Sequence, residues 1–287
     1  MEPHAVDSFQ KAITKMNLHQ AKIDIVEAGR RVFSQGYVAS NDGNISCRID
    51  DDRILTTPTG VSKGFLKVED LCLVDMDGKL VSGQNRPSSE IGMHIFLYQE
   101  RPDMRAVVHA HPPTATGFAV AGIPLSACVL PEVIITLGSI PIVGYGTPGG
   151  PEISEPIRKY VKDYDAYLLE NHGATTIGTD VMNAYYKMET MEHFAKILFV
   201  AKQLGGFNEL NREQVAKLIA IRDRMGIRGP DPACDIPDEP DTATSANGGI
   251  PTLRTKSAGG SDAAPIAQST DDLVAEITRR VLAELKK

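Results

Sequence analysis

The sequence predicts an α/β domain of three layers, with helices on both faces of a mainly antiparallel central sheet, followed by a disordered linker and a C-terminal amphipathic helix. Three features of the 287-residue chain carry this expectation. Up to about Gly229, stretches with apolar residues at helical spacing alternate with short β-type runs. Two of those runs flank Asp77-Gly78, a hairpin turn signal, and short strands flanked by helices bury best as a layered sheet. Beyond Pro230 large apolar residues nearly vanish until a last amphipathic segment.

Taken in order, residues 7–34 place Ile13, Met16, Ile23, Val26, Val32 and Phe33 at helical spacing and stop at Gly36. Short strands are expected at Asn44–Ile49, Arg53–Thr57, Leu71–Asp75 and Leu80–Val81. Ser88–Glu100 reads as a helix, Arg105–His111 as a strand, and further strands follow at Ile140–Gly144 and Ala166–Glu170. Val181–Leu204 is a long amphipathic helix and Arg212–Arg224 another, closing a domain over residues 1–229.

Residues 230–268 are dominated by Pro, Asp, Ser, Thr, Ala and Gly. Such a stretch buries too little apolar surface to offset its ordering entropy, so a flexible linker spanning roughly 35 Å is expected. Residues 269–287 form the terminal helix. Ser269 and Asp272 have capping-box spacing, and Asp271 and Asp272 at the start with Lys286 and Lys287 at the end suit the helix dipole. Leu273, Val274, Ile277, Val281, Leu282 and Leu285 share one apolar face. A lone helix of this length is marginal in water, so the face is expected to dock: onto its own domain, onto a neighbouring subunit, or into a partner's groove.

Composition narrows the partners. A net charge of -7 with pI near 5.5 argues against nucleic acid, which needs a Lys/Arg excess. No apolar run approaches the ~18 residues of a membrane span, and the N-terminus lacks a signal-peptide pattern, so a cytoplasmic protein is expected. Cys47, Cys72, Cys128 and Cys234 are scattered and read as reduced thiols. The hydrophobic content of 42% suffices for a sizeable core, yet none of the eight Phe and eight Tyr lies beyond Phe207.

Of seven histidines, His109 and His111 stand as His-Ala-His at the end of a strand. Alternation puts both imidazoles on one face, about 6–7 Å apart at the backbone, a spacing suited to two ligands of one metal. Pro112-Pro113 ends the strand and leaves the pair at a sheet rim. Two partly buried or surface histidines remain the plainer alternative. His172 also follows an apolar strand and precedes a glycine, and Glu90 follows Ser88-Ser89 in a first helical turn, where a capping role is the simpler reading. His4, His19, His94 and His193 read as structural or exposed, with His94 one turn after Glu90.

Five segments then occur in one order: Gly43-Asn44-Ile45-Ser46, Thr57-Pro58-Thr59-Gly60, Pro87-Ser88-Ser89-Glu90, Val107-Val108-His109-Ala110-His111 and Asn171-His172-Gly173. In that order they resemble the class II aldolase/adducin family over about residues 20–229, and especially its zinc-dependent L-fuculose-1-phosphate aldolases. The resemblance implies a zinc ion on His109, His111, His172 and Glu90, with Glu90 doubling as the catalytic acid/base. It implies a phosphate cradle of Asn44, Thr59, Gly60, Ser88 and Ser89, residue types able to present hydroxyls and backbone N–H groups to an anion. The expected reaction is cleavage of a ketose 1-phosphate of L-fuculose or L-rhamnulose type to dihydroxyacetone phosphate and lactaldehyde, by a homotetramer.

The tail is similar to the encapsulation peptides of bacterial microcompartments, which implies a shell-protein partner and residence in the microcompartment lumen. One departure concerns the aldehyde side. Ile123-Pro124 is followed by Leu125-Ser126-Ala127-Cys128-Val129-Leu130, without the family's tyrosine, and Met225 stands where a second tyrosine is expected. Tyr145 and Glu132 are the candidate substitutes. Rival readings within the superfamily are a pentulose-phosphate 4-epimerase, which carries Asp where this chain has Glu90, and a sugar-phosphate dehydratase. An adducin-like interaction module is the non-enzymatic rival. Gly144-Tyr145-Gly146-Thr147-Pro148-Gly149 satisfies a dinucleotide-binding pattern, but Pro148 and Pro151 limit helix entry and favour a turn.

Overall fold

Odd and even positions of the central strands feed two different cores, and this alternation builds the layers. The computed structural model describes residues 16–227 together with Gly229 and Pro232; the expected linker (apart from Pro232), the terminal helix and residues 7–15 lie outside the described residues, and the helix expected over 7–34 begins at Leu18, because Asn17 caps it in extended geometry. The strands are β1 Asn44–Arg48, β2 Arg53–Thr56, β3 Cys72–Asp75, β4 Leu80–Ser82, β5 Ala106–Ala110, β6 Ile142–Val143, β7 Ala166–Leu169 and β8 Gly173–Gly178. They form one sheet in the order β4-β3-β2-β1-β5-β8-β7-β6. Every pairing is antiparallel except β6 with β7, so the sheet is mixed.

The helices are α1 Leu18–Ser34, α2 Ile91–Glu100, α3 Pro113–Ala121, α4 Pro131–Thr136, α5 Ser154–Arg158, α6 Val181–Gln203 and α7 Arg212–Arg224. On one face Ile45, Val108, Ala110 and Leu168 join Ile25 and Val32 of α1, Phe118 of α3, and Met188 and Phe194 of α6. On the other, Ile54, Val107, Leu169 and Ile177 join Met93 and Leu97 of α2 and Ile157 of α5. Three layers follow directly. His109 shares the parity of Val107, and so it faces the α2 side.

The helix starts are chemically specified. The Asn17 side chain caps α1 by accepting from His19 N and Gln20 N, and Asn211 with Gln214 forms a capping box on α7. Helix α3 has no side-chain cap of its own. Instead the buried Glu192 carboxylate of α6 accepts from Thr114 N at 3.1 Å and Ala115 N at 2.7 Å, which satisfies orphan donors and favours negative charge at a helix N-terminus.

Three expectations shift. Helix α2 begins at Ile91, with Ser88 and Ser89 ahead of it and Glu90 in its cap position. Strand β8 escapes the sequence pattern because Gly173-Ala174-Thr175-Thr176-Ile177-Gly178 is small and polar, yet all six residues are buried between β5 and β7. Cys47 and Cys72 are buried free thiols, whereas Cys128 is disulfide-bonded, contrary to the reading of all four cysteines as reduced.

Candidate metal centre

Sheet order brings distant histidines together. Strand β5 carries His109, with His111 just past its end, and pairs with β8 so that Ala110 lies opposite Ala174. The turn entering β8 therefore stands beside the end of β5, and that turn holds His172. Asn171 turns the chain at φ 54°, and His172 N donates to Leu169 O at 3.0 Å. A Cβ on Gly173 would fall 2.5 Å from the His111 ring and 2.7 Å from Ala110 O, so only glycine admits His111 there. On the other side of β5, Asn44 of β1 lies opposite His109 in register.

The three imidazoles converge with centroid separations of 4.7–5.2 Å, and their ligand nitrogens lie within 4.8 Å of one another. His109 Nε2 and His111 Nε2 are 3.2 Å apart. Glu90 completes the ring, with Oε2 3.4 Å from His109 Nε2 and Oε1 3.4 Å from His172 Nε2. A tetrahedral ion with bonds of about 2.0–2.1 Å sets its ligand atoms roughly 3.3–3.4 Å apart, so these spacings suit one shared divalent cation. Glu90 Oε1 is buried without a hydrogen-bond partner, as a ligand oxygen would be. The donor set, three imidazoles and one carboxylate, fits such an ion.

Supporting groups fix the candidate ligands. His109 Nδ1 lies 3.0 Å from both Ala174 O and Thr175 Oγ1; donation to the carbonyl leaves the Nε2 lone pair free for a metal. Burial, reinforced by the neighbouring His172 and His111, holds His109 well below the usual histidine range and therefore neutral, the form that binds metal. Burial likewise lowers His172. Asn44 Nδ2 donates to Glu90 Oε2 at 2.7 Å, and Asp42 Oδ2 stands 3.7 Å from His111 Nδ1.

The segments expected to cradle phosphate also meet. Thr59 N donates to Arg86 O and Ser88 N to Thr57 O, while Pro58 and Pro87 form an antiparallel bridge. Thr59 and Gly60 are exposed, and the Ser88 hydroxyl accepts from Glu90 N at 3.2 Å. Thus Thr59, Gly60, Ser88 and Ser89 border one edge of the site, and the Asn44 amide, which gives one hydrogen to Glu90, has a second N–H donor.

His94 is buried and stands outside the ligand ring. Its Nδ1 lies 2.7 Å from Ser46 Oγ, which lies 2.7 Å from Tyr98 OH, and burial pushes its pKa down to about 3. His19 and His193 are exposed. The glycine-rich segment after β6 forms a loop with a turn at Pro148-Gly149, tied to the site at both ends. Tyr145 N donates to Glu170 Oε2 at 2.9 Å, and a Cβ on Gly149 would lie 3.5 Å from Ser89 O. Ser46, Tyr98, Thr175 and Asp42 are absent from the sequence-based site. Their pairings with His94, His109 and His111 span sheet register or loop contacts that no local pattern announces.

Residues 23–199 match the family model described as class II aldolase and adducin N-terminal domain. A 3-oxo-tetronate 4-phosphate decarboxylase of Haemophilus influenzae is 35% identical over 179 residues, covering 61% of this chain and 85% of that protein. An L-fuculose phosphate aldolase of Methanococcus maripaludis is 34% identical over 181 residues, covering 63% and 97%. Among solved structures, YgbL from Klebsiella pneumoniae superposes with a TM-score of 0.65 at 30% identity, covering 71% of this chain and 99% of that one.

Proposed function

The chain belongs to the class II aldolase and adducin family, and from that premise we propose that it is a zinc-dependent carbon–carbon lyase acting on a phosphorylated ketose. The first reading is retro-aldol cleavage of a ketose 1-phosphate of L-fuculose or L-rhamnulose type to dihydroxyacetone phosphate and lactaldehyde. The observation that carries it is the approach of Glu90 to His109 and His172 at 3.4 Å each, beside the Ser88-Ser89 segment. His109, His111, His172 and Glu90 would hold the zinc, which when bound supplies a Lewis acid for the carbonyl oxygen of the substrate.

The remaining work falls to the chain's own groups. Breaking the C3–C4 bond of the ketose leaves an electron pair on C3, and the C4 hydroxyl must give up its proton. Glu90, with one oxygen held by Asn44, would deliver a proton to C3. Asn44, Thr59, Gly60, Ser88 and Ser89 receive the phosphate and set the distance from that end of the substrate to Glu90.

A second reading is favoured by the aldehyde side. Leu125 and Cys128 are buried and no tyrosine follows Ile123-Pro124, so no phenol comes from that segment to manage the C4 hydroxyl proton. A 3-oxo acid phosphate has no such need: its carboxylate leaves as carbon dioxide, and the electron pair again stays on the carbon beside the carbonyl. Loss of carbon dioxide from 3-oxo-tetronate 4-phosphate, followed by protonation, also gives dihydroxyacetone phosphate. Product analysis with zinc on a panel of ketose 1-phosphates, pentulose 5-phosphates and 3-oxo-tetronate 4-phosphate separates the readings. Dihydroxyacetone phosphate with lactaldehyde assigns the aldolase, and the same product with carbon dioxide the decarboxylase. An epimerised pentulose alone assigns the epimerase, and no turnover of any of them refutes the lyase proposal.

For the segment outside the described residues we propose a targeting role: residues 269–287 carry the enzyme to a microcompartment shell protein, where a reactive aldehyde product would be confined. Fused to a fluorescent reporter, residues 269–287 are expected to enter shells; a diffuse signal in shell-producing cells contradicts the role. A homotetramer is proposed on family grounds, and light scattering of the purified chain checks it.

A further inference from the structure

Two loops of the site meet at one buried ammonium. Lys63 opens the 3-10 turn Lys63–Phe65 and is 2% exposed. Its backbone is seated on α1, where a Cβ at Gly29 would come within 2.8 Å of Lys63 O, and the Phe33 and Phe65 rings pack 5.5 Å apart beside it. From this seat Lys63 Nζ donates to Asn41 O at 2.8 Å and to Val61 O at 2.9 Å. Asn41 leads into Gly43-Asn44, and Val61 directly follows Thr59-Gly60.

Carbonyl oxygens solvate an ammonium without neutralising it, and among the described residues Lys63 makes no ion pair with a carboxylate. Burial pushes its pKa down to about 8, opposed by the charge of Asp42 on the same loop as Asn41. A cation removed from water without a contacting counter-ion is costly, and its field is screened less than that of a surface lysine. An anion arriving at the neighbouring turn would offset that cost.

We propose that Lys63 is the positioning residue of the phosphate end: it clamps the Asn41–Asn44 loop to the Thr59–Val61 turn and provides the fixed positive charge that a phosphate ester meets there. This rests on the phosphorylated-substrate reading above. Lys63 acts through the two loops, and the Asn44, Thr59, Gly60, Ser88 and Ser89 groups make the direct contacts.

The test uses the full-length, zinc-loaded protein with inorganic phosphate as the probe, titrated calorimetrically. Lys63→Met removes the charge at nearly constant length and is expected to raise the phosphate Kd about tenfold, the order lost with one weakly screened charge near the anion. With turnover, KM rises by a similar factor while kcat changes less than about threefold, a split that general loosening of the fold does not produce. Melting temperature and zinc content are measured alongside. Lys63→Gln, which keeps a donor for one carbonyl, replaces it if the methionine variant does not fold. Unchanged phosphate affinity in a folded variant, or a fall in kcat at constant KM, overturns the assignment to Lys63 alone. Wild-type protein that binds neither inorganic phosphate nor any phosphorylated substrate overturns the phosphorylated-substrate reading with it.

Discussion

Replacing His109 with alanine is expected to strip the protein of bound metal and to lower turnover by about 10²–10³-fold, the order lost when stabilisation of a developing oxyanion is removed. His109 is the centre of the constellation. Its Nε2 lies 3.2 Å from His111 Nε2 and 3.4 Å from Glu90 Oε2, while its Nδ1 is anchored to Ala174 O. Because His109 is 1% exposed, its removal also leaves a small cavity, and some loss of melting temperature accompanies the loss of function. His111→Ala separates the two effects, since His111 is only partly buried. It is expected to lose metal with little change in folding. Metal content by mass spectrometry, melting temperature and kcat check both variants; full activity in either contradicts the ligand assignment.

The second large effect is expected at Glu90. Glu90→Gln keeps the shape of the side chain and an oxygen able to accept from Asn44 Nδ2, but it cannot carry a proton. Turnover should fall by about 10²–10⁴-fold, the usual range for a general acid/base, with KM nearly constant and metal affinity weakened but retained. A loss confined to metal affinity, with full kcat at saturating zinc, would make Glu90 a ligand and nothing more.

Much of this was legible in the sequence, unevenly and for identifiable reasons. Strands β1, β2, β3, β5 and β7 announce themselves as short runs bounded by turn residues, and α1 and α6 by apolar spacing. Strand β8 does not: its glycines and threonines lack the β-branched apolar pattern, and its burial comes from its place between β5 and β7. Short helices such as α4 and α5 carry too few residues for a period to show.

The site divides in the same way. The His-Ala-His spacing on β5 is readable as a metal pair, but His172 and Glu90 join it only through the ordered family segments, because sheet pairing and a helix start bring them there. The groups that hold the buried histidines, Thr175 beside the candidate ligand His109 and Ser46 beside His94 outside the ring, look like ordinary strand residues. Lys63 is less visible still. A lysine in a turn carries no local sign of burial; the fold buries it by seating its backbone on Gly29 and its ammonium on two loop carbonyls.

Both lyase readings share one step, protonation by Glu90 of the carbon beside the carbonyl, and it can be observed without knowing the leaving group. Zinc-loaded protein incubated with dihydroxyacetone phosphate in deuterium oxide should run that step in reverse and forward again, exchanging one hydrogen of the hydroxymethyl carbon for deuterium, as followed by proton NMR. The expected result is exchange that a chelator abolishes and Glu90→Gln reduces by at least about 10²-fold. Absence of exchange in zinc-loaded protein shown to bind dihydroxyacetone phosphate, or exchange at an unchanged rate in Glu90→Gln, would contradict it.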